Sequence, residues 1–170
     1  MRGFQLWINL PANEKMKAAS YRDISADEIP VVASDNANVR VIAGTYIRDG
    51  QKTTGPIQGL TTAPVYFDVA LLGQEPFRAA VPAGHNVFLY VYEGSVDVGQ
   101  AGIRVNPGHA ALLGRGDTVA ASAADSEARF LLIGGTPLNE PVTQYGPFVM
   151  NTREEIEQAL ADYRDGTLAV

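Results

Sequence analysis

Two histidines, His85 and His109, and no cysteine stand among the 170 residues. That inventory limits the chemistry at once. Thiolate catalysis, disulfides and zinc–sulfur sites are excluded, and two imidazoles are too few for a metal centre unless carboxylates join them. His85 follows Pro82-Ala83-Gly84 at the entry to an apolar run. Its weak functional reading is a general acid/base, with Asp68 or Asp97 orienting the ring. The plainer reading is a turn histidine whose ring hydrogen-bonds backbone. His109, after Pro107-Gly108, reads as structural. Tyr90 and Tyr92 alternate with Leu89 and Val91, so the tyrosines share one face of a strand. Facing inward they would line a small-molecule pocket with His85; facing outward they would cover an interface. Trp7 reads as an interface anchor rather than a ligand-stacking residue. No catalytic, cofactor or metal residue is assigned.

The elements that must carry these side chains are strands. Apolar and polar residues alternate in short segments separated by Gly, Pro, Asn and Asp. Strands are expected at 4–10, 39–47, 64–72, 77–81, 87–92, 95–98, 102–105, 109–113, 118–122 and 128–133. Turns fall at Glu93-Gly94, 100–102, 106–108 and 115–117. The polar stretch 48–62, with Gly50, Gly55, Pro56 and Gly59, is expected to be a mobile loop, and a lid over a pocket is its functional reading. Many short, evenly spaced strands with no helices between them predict an all-β sandwich or small barrel. The C-terminus differs. Thr152 and Glu155 have capping-box spacing, with Asn151 and Glu154 as the alternative cap, and Ile156, Ala159, Leu160 and Tyr163 form one apolar stripe, so a single helix is expected, stopped at Gly166. The expected division is an N-terminal arm with linker strands at 1–35, a β-barrel at 36–145 and a helix-bearing segment at 146–170.

Composition narrows the partners. A net charge of −6 and scattered basic residues argue against nucleic acid. No apolar run is long enough to cross a bilayer, and the first residues lack the apolar core of a signal peptide, so a cytoplasmic location without membrane attachment is expected.

Residues 82–135 run strand, Glu93-Gly94 turn, strand, Asn106-Pro107-Gly108 turn, strand, Gly-rich break and two further strands. This cadence resembles a cupin jelly roll. Cupins hold a metal through an H-x-H, a Glu and a later His. Laid on Gly94 and Gly108, those positions fall near Ala80 and Pro82, on Val87 and on Val119. All four are apolar, which predicts a barrel without metal or other cofactor, and Val119 joins the candidate pocket of His85, Tyr90 and Tyr92.

Gly3-Phe4-Gln5-Leu6-Trp7-Ile8-Asn9-Leu10-Pro11, Val39-Arg40-Val41-Ile42-Ala43-Gly44, Gly55-Pro56-Ile57, Pro82-Ala83-Gly84-His85-Asn86 and Tyr145-Gly146-Pro147-Phe148-Val149-Met150-Asn151-Thr152 together resemble the pirin family, and the likeness covers essentially the whole chain. Pirins are bicupins whose first domain holds iron, and nothing here matches that first motif. The resemblance therefore implies the second cupin domain: a non-catalytic binding or interaction module. The alternative is a quercetin 2,3-dioxygenase-like enzyme whose iron site comes from a missing half or a partner chain. A metal-free isomerase using His85 is the third reading. In the family the leading strand and the C-terminal helix pack on the first domain. Phe4, Trp7, Ile156, Leu160 and Tyr163 are thus expected to form an interface, either with a protein partner or in a homodimer exchanging arms or helices.

Overall fold

A computed structural model of the chain describes residues 3–73 and 75–168. The remaining five positions, including both ends of the expected arms, lie outside the described residues. The chain divides into two compact units, Ile24–Pro137 and Met1–Asp23 with Leu138–Val170.

The larger unit is built of strands: β1 (Val31–Ala33), β2 (Ala37–Ala43), β3 (Thr45–Arg48), β4 (Gln51–Thr54), β5 (Val65–Leu71), β6 (Phe77–Ala80), β7 (Asn86–Glu93), β8 (Val96–Val98), β9 (Ile103–Val105), β10 (Ala110–Leu112), β11 (Thr118–Ala123) and β12 (Ala128–Gly135). One sheet has six strands in the order β1-β2-β5-β12-β7-β10, and a second has four in the order β6-β11-β8-β9. Neighbours within both sheets run antiparallel. The result is a jelly-roll sandwich, all-β as the alternation required.

Period-two burial fills its interior. Ala37, Val39 and Val41 of β2, Phe67, Val69 and Leu71 of β5, and Leu89 and Val91 of β7 are almost completely buried. Phe77 and Ala79 of β6 and Ala121 of β11 join the same core from the other sheet. Tyr46 stacks on Phe77 at 5.9 Å between ring centres and meets Phe67 edge-on at 5.6 Å, while Phe77 meets Phe130 edge-on at 5.7 Å. Each such side chain contributes about 1.5–3 kcal/mol by leaving water.

Three sequence expectations change. The segment 39–47 breaks at Gly44, whose φ of +82° ends β2 and starts β3. Much of 48–62 is ordered hairpin rather than loop. Strands β3 and β4 pair from Thr45↔Thr54 to Arg48↔Gln51 around Asp49-Gly50, both at positive φ, as a two-residue turn joining twisted strands requires. Residues 4–10 form no strand. Their alternation finds no ladder partner among the described residues, and side chains hold the segment instead. Asn9 Oδ1 accepts from Lys15 Nζ at 2.6 Å, and the same ammonium donates to the Val149 carbonyl at 2.9 Å.

The smaller unit contains a hairpin, β13 (Thr143–Tyr145) and β14 (Phe148–Met150), and one helix, α1 (Arg153–Asp165). The capping box forms as the spacing implied: Thr152 Oγ1 accepts from the Glu155 amide at 3.2 Å, and Glu155 accepts from the Thr152 amide at 3.0 Å. Gly166, left-handed at φ +74°, ends the helix. Ile156 and Ala159 are its buried residues. Glu140 Oε2 ties the two ends of the chain together, accepting from the Ala12 amide at 2.8 Å and from Asn151 Nδ2 at 2.9 Å. No helix of the described residues is long and apolar enough to cross a membrane.

Candidate functional site

The interior of the sandwich is where this architecture would place a metal. Strand pairing fixes which side chains reach it. β6 and β11 pair with Ala79↔Val119 and Ala80↔Thr118. Ala79 and Val119 are buried, whereas Ala80 and Thr118 are exposed. Ala79 and Val81 therefore point inward, one residue away from the Ala80 and Pro82 that motif spacing suggested. A slip of one residue exchanges the two faces of a strand, and only the pairing partner settles it. Val87 and Val119 point inward as expected.

The inward set is then Ala79, Val81, Val87 and Val119, all hydrocarbon. A divalent cation needs several N or O donors at about 2 Å. These residues offer none, so the cupin ion does not fit the interior. Among the described residues no three His, Asp or Glu side chains converge anywhere.

His85 lies in the turn before β7. Its amide donates to the Pro82 carbonyl at 3.2 Å, and its Nε2 sits 3.1 Å from Thr136 Oγ1. Its Nδ1 is sealed from solvent without a hydrogen-bond partner. The carboxylates considered as orienters are engaged elsewhere. Asp68 accepts from the Tyr92 hydroxyl at 2.7 Å, and Asp97 from Arg104 at 2.6 and 3.1 Å. The His–Asp pair of an acid/base site is not formed. His109 Nδ1 lies 3.2 Å from the Pro107 carbonyl, an ordinary turn contact.

Tyr90 and Tyr92 lie on the outer face of the six-stranded sheet, because Leu89 and Val91, which alternate with them, are fully buried. They do not share a cavity with Val119, which belongs to the core. Burial, and then the hydrogen bond and charge of Asp68, push the Tyr92 phenol well above its ordinary value. Of the candidate interface residues, Ile156 is buried at 5% exposure, while Phe4, Trp7 and Tyr163 are exposed at 45, 67 and 68%.

Sequence reasoning did not find the cleft of about 480 Å³ on the larger unit. Its walls are Ile47 of β3, Ile57 and Leu60 of the 55–64 segment, Pro64, and Ala80 and Pro82 at the end of β6. The 55–64 segment is fastened along its length. The Gly55 amide donates to Gly44 at 2.9 Å, the Ile57 amide to Ile42 at 3.3 Å and the Thr136 amide to Thr62 at 2.8 Å. A Cβ on Gly55 would stand 2.6 Å from the Ile42 backbone, so only glycine lets the segment lie this close. The signal available in the sequence was the Gly55-Pro56-Ile57 run itself.

The fold and its inward positions define a cupin-type jelly-roll domain. Residues 66–169 match the family model described as the pirin C-terminal cupin domain. The chain belongs to the pirin family. It is 46% identical to a pirin-like protein of Caulobacter vibrioides over 98% of this chain and 58% of the relative. It is 39% identical to human pirin over 96% of this chain and 56% of the relative. A crystal structure titled quercetin 2,3-dioxygenase from Acinetobacter baumannii superposes with a TM-score of 0.84 at 33% identity, covering 95% of this chain and 55% of that one. The chain spans less than two thirds of the length of each of these relatives.

Proposed function

We propose that this chain is a non-catalytic binding or interaction module. One observation carries the reading: every inward position where a cupin would present a metal ligand holds a hydrocarbon side chain, Ala79, Val81, Val87 or Val119. Such a barrel has no group to hold a cation or to polarise bound oxygen. It keeps the jelly roll as a rigid frame for surfaces. The test is elemental analysis of the purified chain. Metal far below one equivalent is expected; stoichiometric iron, nickel or zinc would overturn the reading.

The module would act through the apolar surface of the smaller unit, where Phe4, Trp7 and Tyr163 are exposed and Leu160 is partly so. A homodimer exchanging arms or helices, or a complex with a protein partner, would rebury them. Sedimentation over a concentration series checks the dimer: a monomer at all concentrations removes it and leaves the partner.

A second reading is favoured by the dioxygenase title of the Acinetobacter structure and by the greater length of the relatives. In it, the chain completes a quercetin 2,3-dioxygenase-like enzyme whose iron site lies in another half. The chain alone should then leave oxygen uptake with quercetin at background, and an iron-bearing half added in trans should raise it. No increase on mixing would remove this reading.

A further inference from the structure

The cleft bounded by Ile47, Ile57, Leu60, Pro64, Ala80 and Pro82 includes, of the four inward positions, Val81 but not Ala79, Val87 or Val119. Its volume of about 480 Å³ falls in the range of small-molecule sites. Among the described residues no charged side chain lines it, although 19% of the chain is charged. Burying an ion there is unfavourable with no partner to offset its lost hydration, and the net charge of −6 adds a further bias against anions.

Its polar features are few and fixed. Gln58, on the lining, donates from Nε2 to the Gly55 carbonyl at 2.7 Å, which anchors an amide whose oxygen can accept. Ala63, on the lining, is held at φ +43°, where alanine is strained. Strain of this kind persists only when the surroundings enforce it. Here they do. The Ala63 amide donates to the Leu60 carbonyl at 2.9 Å, and the flanking Thr62 carbonyl accepts from Thr136. The walls are therefore set before any ligand arrives, which lowers the ordering cost of binding.

We infer that this cleft is a binding site for an uncharged, hydrocarbon-rich small molecule of one or two ring systems carrying a hydrogen-bond donor for Gln58. The inference stands beside the interaction-module reading. Metal content and probe binding are read separately, so failure of the one reading is distinguishable from failure of the other.

The probe is phenylnaphthylamine, uncharged with one N–H donor, compared with its sulfonate, anilinonaphthalene sulfonate. Titration of the whole chain should give saturable, one-site fluorescence enhancement with the amine, and at least about tenfold weaker binding of the sulfonate. Ala80→Trp fills the cleft from an exposed strand position. Leu60→Arg places a charge at its rim and keeps the test open should the first variant misfold. Each should weaken amine binding by about tenfold or more with the thermal transition retained. Met16→Lys, on the smaller unit, should leave it unchanged. Equal binding of amine and sulfonate, undiminished binding by both folded cleft variants, or loss on Met16→Lys would overturn the site. So would absence of amine binding together with a change of oligomeric state in Leu60→Arg, which would make the cleft a contact between copies.

Discussion

Gly94 shows how much one residue fixes. It sits at φ +66° in the turn from β7 to β8, and a Cβ there would meet the Glu127 carbonyl oxygen and lie 3.0 Å from Ala128 Cα. Neither contact is the end of a flexible side chain, so nothing can give way. Gly94→Ala should destabilise the chain by about 1–3 kcal/mol, read as a lower denaturant midpoint at constant slope. Tyr92 acts through its proton. Burial raises the phenol first, then the Asp68 carboxylate, and Tyr46 and Tyr66 are raised mainly by burial. A raised phenol binds its proton more tightly folded than unfolded. Its contribution is whole below the ordinary value of 10.0 and is lost as pH climbs from there toward the folded value. The chain should therefore lose stability in thermal melts above about pH 10, and Tyr92→Phe should flatten that loss. The same variant should cost about 0.5–1.5 kcal/mol at neutral pH by removing the hydrogen bond to Asp68. The lack of the cupin histidine set was legible at this scale, since two histidines cannot supply an H-x-H and a later His. The engagement of His85 with Thr136 was not, because those residues lie far apart in the chain.

Among the elements, legibility followed the environment of each strand. β2, β5, β7 and β11 alternate in burial because one face lies in the core, whereas β12, between β5 and β7, shows as the apolar run Phe130-Leu131-Leu132-Ile133. β4 was missed because Gln-Lys-Thr-Thr is polar throughout: it pairs with β3 in a ribbon whose residues are mostly exposed, and no burial pattern marks it. Only Asp49-Gly50 announced the turn. Residues 4–10 erred in the other direction, since alternation without an available edge makes no ladder. The hairpin of β13 and β14 escaped notice because three-residue strands around Tyr145-Gly146-Pro147 are too short to show a period. Helix α1 was read to within a residue, as its signals are local: a Thr152 cap, Glu155 at the third position and Gly166 at the end. Thr152→Ala should destabilise the helix by about 1 kcal/mol, seen as earlier loss of amide protection in 153–157 than in the β-sheets.

For the whole molecule, the prediction concerns what holds it together. The stability of the sandwich rests on the Tyr46–Phe67–Phe77–Phe130 cluster and its aliphatic neighbours. A chelator should leave Tm unchanged, whereas Phe130→Ala should lower stability by about 3–5 kcal/mol in the same melt. A fall in Tm with the chelator would locate a structural cation and remove the central premise. The organisation into units also belongs to this scale. The larger unit, Ile24–Pro137, begins before the expected residue 36 and ends before 145, while the segments Met1–Asp23 and Leu138–Val170 share a unit through Glu140, Lys15 and Asn151. Composition, alternation and capping signals determined by themselves that the chain is all-β, ends in one helix and lacks cupin ligands, because those properties depend on neighbours a few residues apart. Tertiary structure decided that Ala79 and Val81 face inward, that Tyr90 and Tyr92 face out, and that the 55–64 segment walls a cleft. Each of these depends on which distant strand lies alongside, and pairing is chosen by the fold as a whole.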